Sequence, residues 1–113
     1  MQNKKFIDAI TKTLDEAKGQ QIEVIDVRGK STFTDHMIVV SATSSRHVKG
    51  LANAVVVESK KRGVKPLGVE GEADAEWVLV DLVDVVVHVM QIKYREFYQL
   101  EKLWSVERVE AKA

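Results

Sequence analysis

Hydrophobic positions change their spacing several times along the chain, and each change predicts an element. Over residues 4–18, Phe6, Ile7, Ile10, Leu14 and Ala17 recur at helical spacing, which predicts an amphipathic helix, with Gly19 standing where a C-terminal cap belongs. Residues 22–27 follow as a strand, ended by the polar run 28–31. A second strand, 37–41, is almost wholly apolar and β-branched, so both its faces are expected to be covered. Thr43, Ser44 and Ser45 then offer N-cap oxygens to a second helix. Its buried stripe is Val48, Leu51, Ala52 and Val55, and Gly63 stops it. Residues 64–71 read as a connector with room for one short strand. Two further strands, 77–82 and 85–90, are separated only by Val83 and Asp84, which predicts a tight antiparallel hairpin. The last clear element is a helix over about 93–104, followed by a charged tail from Val106 that is expected to fray.

The order helix, strand, strand, helix, strands, helix predicts an α/β fold: a single domain with a mixed sheet of about four or five strands packed with helices. No internal repeat, linker or low-complexity tract interrupts it. The expected organisation is one domain over 1–105 and a charged tail over 106–113.

Composition narrows the function. A chain of 113 residues with 45% hydrophobic and 30% charged residues is long enough to bury a core and ordinary enough to fold alone. It contains no cysteine, which removes disulfides, thiolate metal sites and cysteine nucleophiles. The first residues carry neither the apolar run of a secretion signal nor the character of a transit peptide, and no apolar stretch exceeds strand length. The expectation is therefore a cytoplasmic protein with no membrane contact. Seventeen basic residues balance seventeen acidic ones. Proteins that grip nucleic acid through its phosphates are usually clearly basic, because counterion release drives that binding.

Several residue pairs invite a catalytic reading. Asp35 and His36 are adjacent, Asp81 and Asp84 bracket the hairpin turn, and His88 lies within an apolar strand. A two-metal nucleotidyl-transfer site needs acids converging from neighbouring strands and a glycine-rich phosphate loop before a helix. The segment from Ser41 to Ser45 only faintly resembles such a loop and has no glycine where the backbone must approach a phosphate. Asp81 and Asp84 are more simply turn residues, since Asp side chains bond nearby backbone amides. The three histidines, at 36, 47 and 88, are too scattered for a ligand set. His88 reads as a half-buried, hydrogen-bonded residue, and His47 and Arg46 as exposed residues of a first helical turn. No metal or other cofactor is expected. The informative feature is the strand at 77–82, which is apolar on both faces. In so small a domain the helices need not cover the whole sheet, and uncovered aromatic and apolar side chains mark partner sites. Val78 and Val80 are expected in the core. For Trp77 and Leu82, at the two ends of the strand, burial and exposure both remain open.

The stretch from Thr34 to Val48 resembles the first signature of the ribosomal silencing factor family, also called Iojap-like. A second stretch is similar over more of its length: Gly68, Val69, Glu70 and Gly71, then Glu76 to Asp81, then Asp84 to Met90, continuing through Arg95, Phe97, Tyr98, Leu100, Glu101, Leu103 and Trp104. The likeness runs from the first helix to about Ser105. It implies an α/β fold that is nucleotidyltransferase-like without the catalytic residues, and a protein that is not an enzyme. It further implies a translational repressor that binds the large ribosomal subunit through its fourteenth ribosomal protein, blocks joining of the small subunit when nutrients are scarce, and forms a homodimer. With zero net charge, protein surface is the expected main contact and ribosomal RNA a minor one. By the same resemblance Trp77, Asp81, Leu82 and Tyr98 are carried over as partner-binding residues, with Met37 beside them.

Two positions depart from the family pattern. Ala42 stands where a glycine is usual after the serine of the first signature, and Val83 stands where a glycine is usual before the hairpin aspartate. Valine is awkward at positive φ, so a turn of another type is expected beside Leu82. Two other readings compete: a metal-dependent, nucleotide-using enzyme on a transferase-like fold, and a dimeric scaffold with a different partner.

Overall fold

In the computed structural model, which describes residues 2–29 and 34–98 and the side chains of 4–29 and 34–95, the elements run α1 (Gln2–Glu16), β1 (Gln20–Asp26), β2 (His36–Ala42), α2 (Ser45–Lys61), β3 (Gly68–Glu70), β4 (Trp77–Asp81), β5 (Val85–Gln91) and α3 (Ile92–Tyr98). The expected third-helix segment beyond 98 and the tail 106–113 lie outside the described residues.

The helix ends follow local chemistry. Ser44, in extended conformation, supplies the N-cap of α2 by accepting from the His47 amide at 3.1 Å. Gly63 ends the helix at positive φ; its amide donates to Lys60 O and that of Val64 to Ser59 O, the paired bonds of a Schellman cap. α1 closes the same way, one residue earlier than expected. Lys18, not Gly19, takes the left-handed conformation (φ 69°), while the Gly19 amide donates to Leu14 O at 2.8 Å. Gly19 is required for another reason: a Cβ there would lie 2.6 Å from Val40 Cγ2 and 3.0 Å from Leu14 O. His47 is half-buried rather than exposed. Its Nδ1 accepts from the Thr43 amide at 3.0 Å and its Nε2 lies 3.0 Å from Ala17 O, so it ties the start of α2 to the end of α1.

The five strands form one mixed sheet in the order β1-β2-β5-β4-β3. β2 and β5 pair in parallel at its centre, and every other pair is antiparallel. One face packs on α1 and α2: Ile38, Val40, Val78, Val80, Val85, Val87 and Val89 join Ile10, Leu14, Val48, Leu51 and Val55 in a single cluster, all fully buried. On the other face Ile25, Val27, Met37, Val39 and Met90 form a second cluster, against which Tyr94 of α3 packs. β2 is thus covered on both sides, as its apolar run predicted.

The β4–β5 connection is a tight hairpin closed at Val83. Val83 does take positive φ (77°), and the Asp84 amide donates to Leu82 O at 3.1 Å, which makes a γ-turn centred on valine. Two bonds hold it: Asp81 Oδ1 accepts from the Val83 amide at 2.9 Å, and the Leu82 amide donates to Val85 O at 2.8 Å.

Candidate functional site

Alternation along β4 decides which of its side chains can meet a partner. Successive side chains of a strand point to opposite faces. Val78 and Val80 turn toward α2 and are fully buried, whereas Trp77, Leu79 and Asp81 lie on the opposite face and stay half-buried. The sheet register places neighbours beside each of them. Trp77 pairs with Met90, Leu79 with His88 and Asp81 with Val86. Across the parallel pair, Ser41 lies next to Met90, Val39 next to His88 and Met37 next to Val86.

Among the described residues, α3 covers part of this face. It contacts β5 and β2, and it is pinned over the β1–β2 side by Arg95. That side chain, 5% exposed, donates to the Gln21 carbonyl, at the irregularity in β1, and to Ser41 Oγ at 3.0 Å. Trp77, Leu79, Asp81 and Val86 are left as a half-open apolar surface with an acidic edge. Its position is set from below: Gly71, at φ 91°, brings its backbone against Trp77, where a Cβ would lie 2.2 Å from Trp77 O. Glu76 O accepts from the Gln91 amide, and Gln91 Nε2 donates to Ala75 O.

Trp77 is itself held. Its Nε1–H donates to Nδ1 of His88 at 2.9 Å, with ring centroids 5.8 Å apart and planes tilted by 48°. His88 is 8% exposed. Burial pushes its pKa down to about 4, because a charged imidazolium would lose its hydration there. The neutral ring with an acceptor at Nδ1 carries its proton on Nε2.

The residues carried over from the sequence are thus not equivalent. Trp77 and Asp81 lie on the half-open face. Leu82 does not: at 2% exposed it belongs to the main core cluster, because it shares the strand parity of Val78 and Val80. Met37, at 5% exposed, belongs to the second cluster beneath α3. Tyr98 is the last described residue of α3, and its side chain lies outside the described residues. Leu79 and Val86 share this face with Trp77 and Asp81 and were not singled out, although their place in the alternation from Trp77 and Val85 was readable; His88, expected half-buried and hydrogen-bonded, is buried and hydrogen-bonded to Trp77.

The other candidates for chemistry do not converge. Asp81 serves the turn through Oδ1. The amides of Asp35 and His36 both donate to Asp84 O, and His36 Nδ1 is buried with no hydrogen-bond partner among the described residues. Among those residues no three His, Asp or Glu side chains group as for a metal ion, and no helix is long and apolar enough to cross a membrane. A groove of about 670 Å³ lies at the hairpin end, lined by Lys5, Phe6, Arg62, Lys65, Val83 and Asp84 among others, away from Trp77.

The whole chain, residues 1–113, matches the family model described as "Ribosomal silencing factor during starvation". It is 48% identical over 100 residues to ribosomal silencing factor RsfS of Haemophilus influenzae, covering 88% of this chain and 98% of that protein. It is 32% identical over 103 residues to a mouse protein named mitochondrial assembly of ribosomal large subunit protein 1, covering 88% of this chain and 45% of that one. A crystal structure from Chromobacterium violaceum superposes with a TM-score of 0.89 at 40% identity, covering 93% of this chain and 88% of its own. An RsfS-type sheet and helices, matched along the full sequence, leave one assignment: the chain belongs to the ribosomal silencing factor family.

Proposed function

We propose that this protein represses translation by docking on the large ribosomal subunit and excluding the small one. The half-open sheet face around Trp77 is the contact, and the fourteenth protein of the large subunit is the receiver. The observation that carries this reading is the unequal burial of the two sheet faces: β4 buries Val78 and Val80 fully but leaves Trp77, Leu79 and Asp81 half-exposed. A half-exposed aromatic flanked by apolar side chains has the composition of an interface core. Membership of a ribosomal silencing family supports the ribosome as partner, and the mouse relative's name supports the large subunit. Tyr98, in α3, is proposed to extend the contact. The protein acts in the cytoplasm, without enzymatic activity, and forms a homodimer. Ribosomal RNA contributes a minor contact.

Sedimentation with purified subunits tests this. The protein should travel with large subunits and not with small ones, and binding should weaken only modestly with salt, as expected of a protein-dominated contact. Trp77→Ala should lose at least about tenfold in affinity, corresponding to the roughly 2 kcal/mol typical of a central aromatic anchor, and with it the block on subunit joining. Normal binding by a folded Trp77→Ala protein would place the docking surface elsewhere.

A further inference from the structure

We propose that His88 is a positioning residue for ribosome docking: its Nδ1 fixes the Trp77 indole in the orientation that meets the partner. The inference rests on the docking reading above and adds a residue that does not itself need to touch the partner.

The geometry makes the two residues unequal. Trp77 sits at the first position of β4, half-exposed, with two side-chain torsions to settle. His88 sits in the middle of β5, between Val39 on β2 and Leu79 on β4, and is 8% exposed. It has no room to follow a moving neighbour, so the hydrogen bond between them orients the tryptophan by the histidine and not the reverse. Trp77 and His88 are diagonal cross-strand neighbours, since Trp77 pairs with Met90 and His88 lies two residues before it. The indole edge carrying Nε1 is therefore turned inward to Nδ1 at 2.9 Å, while the residue as a whole stays half-exposed. Burial, which keeps the imidazole neutral with its pKa near 4, keeps Nδ1 available as an acceptor through the physiological range. An aromatic anchor already held in its bound orientation loses less conformational freedom on binding; freezing one such side chain is worth about threefold to tenfold in affinity.

The test compares substitutions at position 88 in the full chain. His88→Asn keeps an acceptor near the place of Nδ1, whereas His88→Phe keeps the bulk and removes the acceptor. Two quantities are read at a temperature where each variant is folded: the NMR shift and hydrogen-exchange rate of the Trp77 indole N–H, and the Kd for purified large subunits. His88→Phe should speed exchange of the indole proton and weaken binding about threefold to tenfold; His88→Asn should restore both toward the parent values. If His88→Phe does not fold, His88→Leu takes its place, because its side chain fits a smaller volume and also lacks an acceptor. Parent-like binding by the variant lacking the acceptor, or equal losses in it and in His88→Asn, overturns the positioning role. Trp77→Ala separates the two readings. If it binds normally, the docking surface is wrong; if it binds weakly while His88→Phe binds normally, only the positioning role fails.

Discussion

The two faces of the sheet are both apolar, yet they reach different states. On the face toward α1 and α2, Ile38, Val40, Val78, Val80, Val87 and Val89 are all at 0% exposure. On the other, Met37, Val39 and Met90 are buried beneath α3, but Trp77, Leu79, Asp81 and Val86 are only half-buried. The cause is cover. Two helices of 15 and 17 residues span the first face, whereas on the second the described part of α3, seven residues, lies mainly against β5 and β2. An apolar strand in such a sheet therefore announces a need for cover on both sides without saying who supplies it. Where side chains of such a strand stay half-buried, a partner can complete the cover.

The largest expected effect separates Leu82 from Trp77, at opposite ends of one hairpin strand and on opposite faces. Leu82→Ala should cost about 2–5 kcal/mol of stability, the range for emptying a packed leucine site. At about 4–8 °C per kcal/mol for a domain of this size, its Tm should fall by roughly 8 °C or more. In the cold, where it is still folded, it should bind large subunits nearly normally. Trp77→Ala should show the opposite balance, with the larger loss in binding. Thermal unfolding and co-sedimentation on the same preparations check both. A Leu82 variant that melts like the parent but no longer binds would break the comparison between the faces.

That pair also shows what the sequence made legible. The stripe Val48, Leu51, Ala52 and Val55 on α2, the Ser44 cap, the hairpin and the double burial of β2 all follow from local spacing and cap chemistry, and the structure contains each. Leu82 and Trp77 were grouped because both end the strand, but parity decides the face, and 82 counts with 78 and 80. The information was present; position along the strand was weighed where alternation should have been. The burial of Met37 was of another kind. Met37 lies in the cluster against which Tyr94 of α3 packs, and Arg95 of the same helix reaches the Gln21 carbonyl, 74 residues away in sequence. No periodicity encodes that contact. The cap at Lys18 likewise depends on Val40 approaching Gly19, a tertiary constraint that places the glycine one step past the left-handed residue.

A second expected effect tests how the half-open face tolerates protonation. The folded pKa of His88, near 4, lies below the ordinary 6.5. Between these values the unfolded chain binds a proton that the folded chain refuses, so stability is complete above about pH 6.5 and falls as pH drops toward 4. A shift of this size corresponds to up to about 3 kcal/mol. Urea unfolding at pH 7 and pH 4.5 measures the loss, and His88→Asn, which cannot take up the proton, should show a correspondingly smaller one. Equal losses in the two proteins would mean that other groups carry the acid sensitivity, and that His88 is better hydrated than its 8% exposure indicates.

The smallest effect lies at the turn that joins the two faces' shared strands. Val83 has φ 77° and is 45% exposed. A β-branched side chain at positive φ clashes with its own backbone, at a cost of about 1–2 kcal/mol, which glycine avoids. Against that, glycine gains freedom in the unfolded chain, which costs about 0.5–1 kcal/mol on folding. The valine side chain, nearly half in water, has little burial to lose. Val83→Gly should therefore stabilise the protein by up to about 1 kcal/mol and raise Tm by a few degrees. It should leave large-subunit binding close to the parent value, because the turn stays closed by Asp81 Oδ1 and the Leu82 amide and Trp77 lies at the far end of β4. Thermal unfolding reads the first expectation and co-sedimentation the second. A destabilised variant would show that the valine's apolar contacts outweigh its backbone strain. A stabilised variant with altered binding would show that the turn, and with it the hairpin end of the open face, takes part in docking.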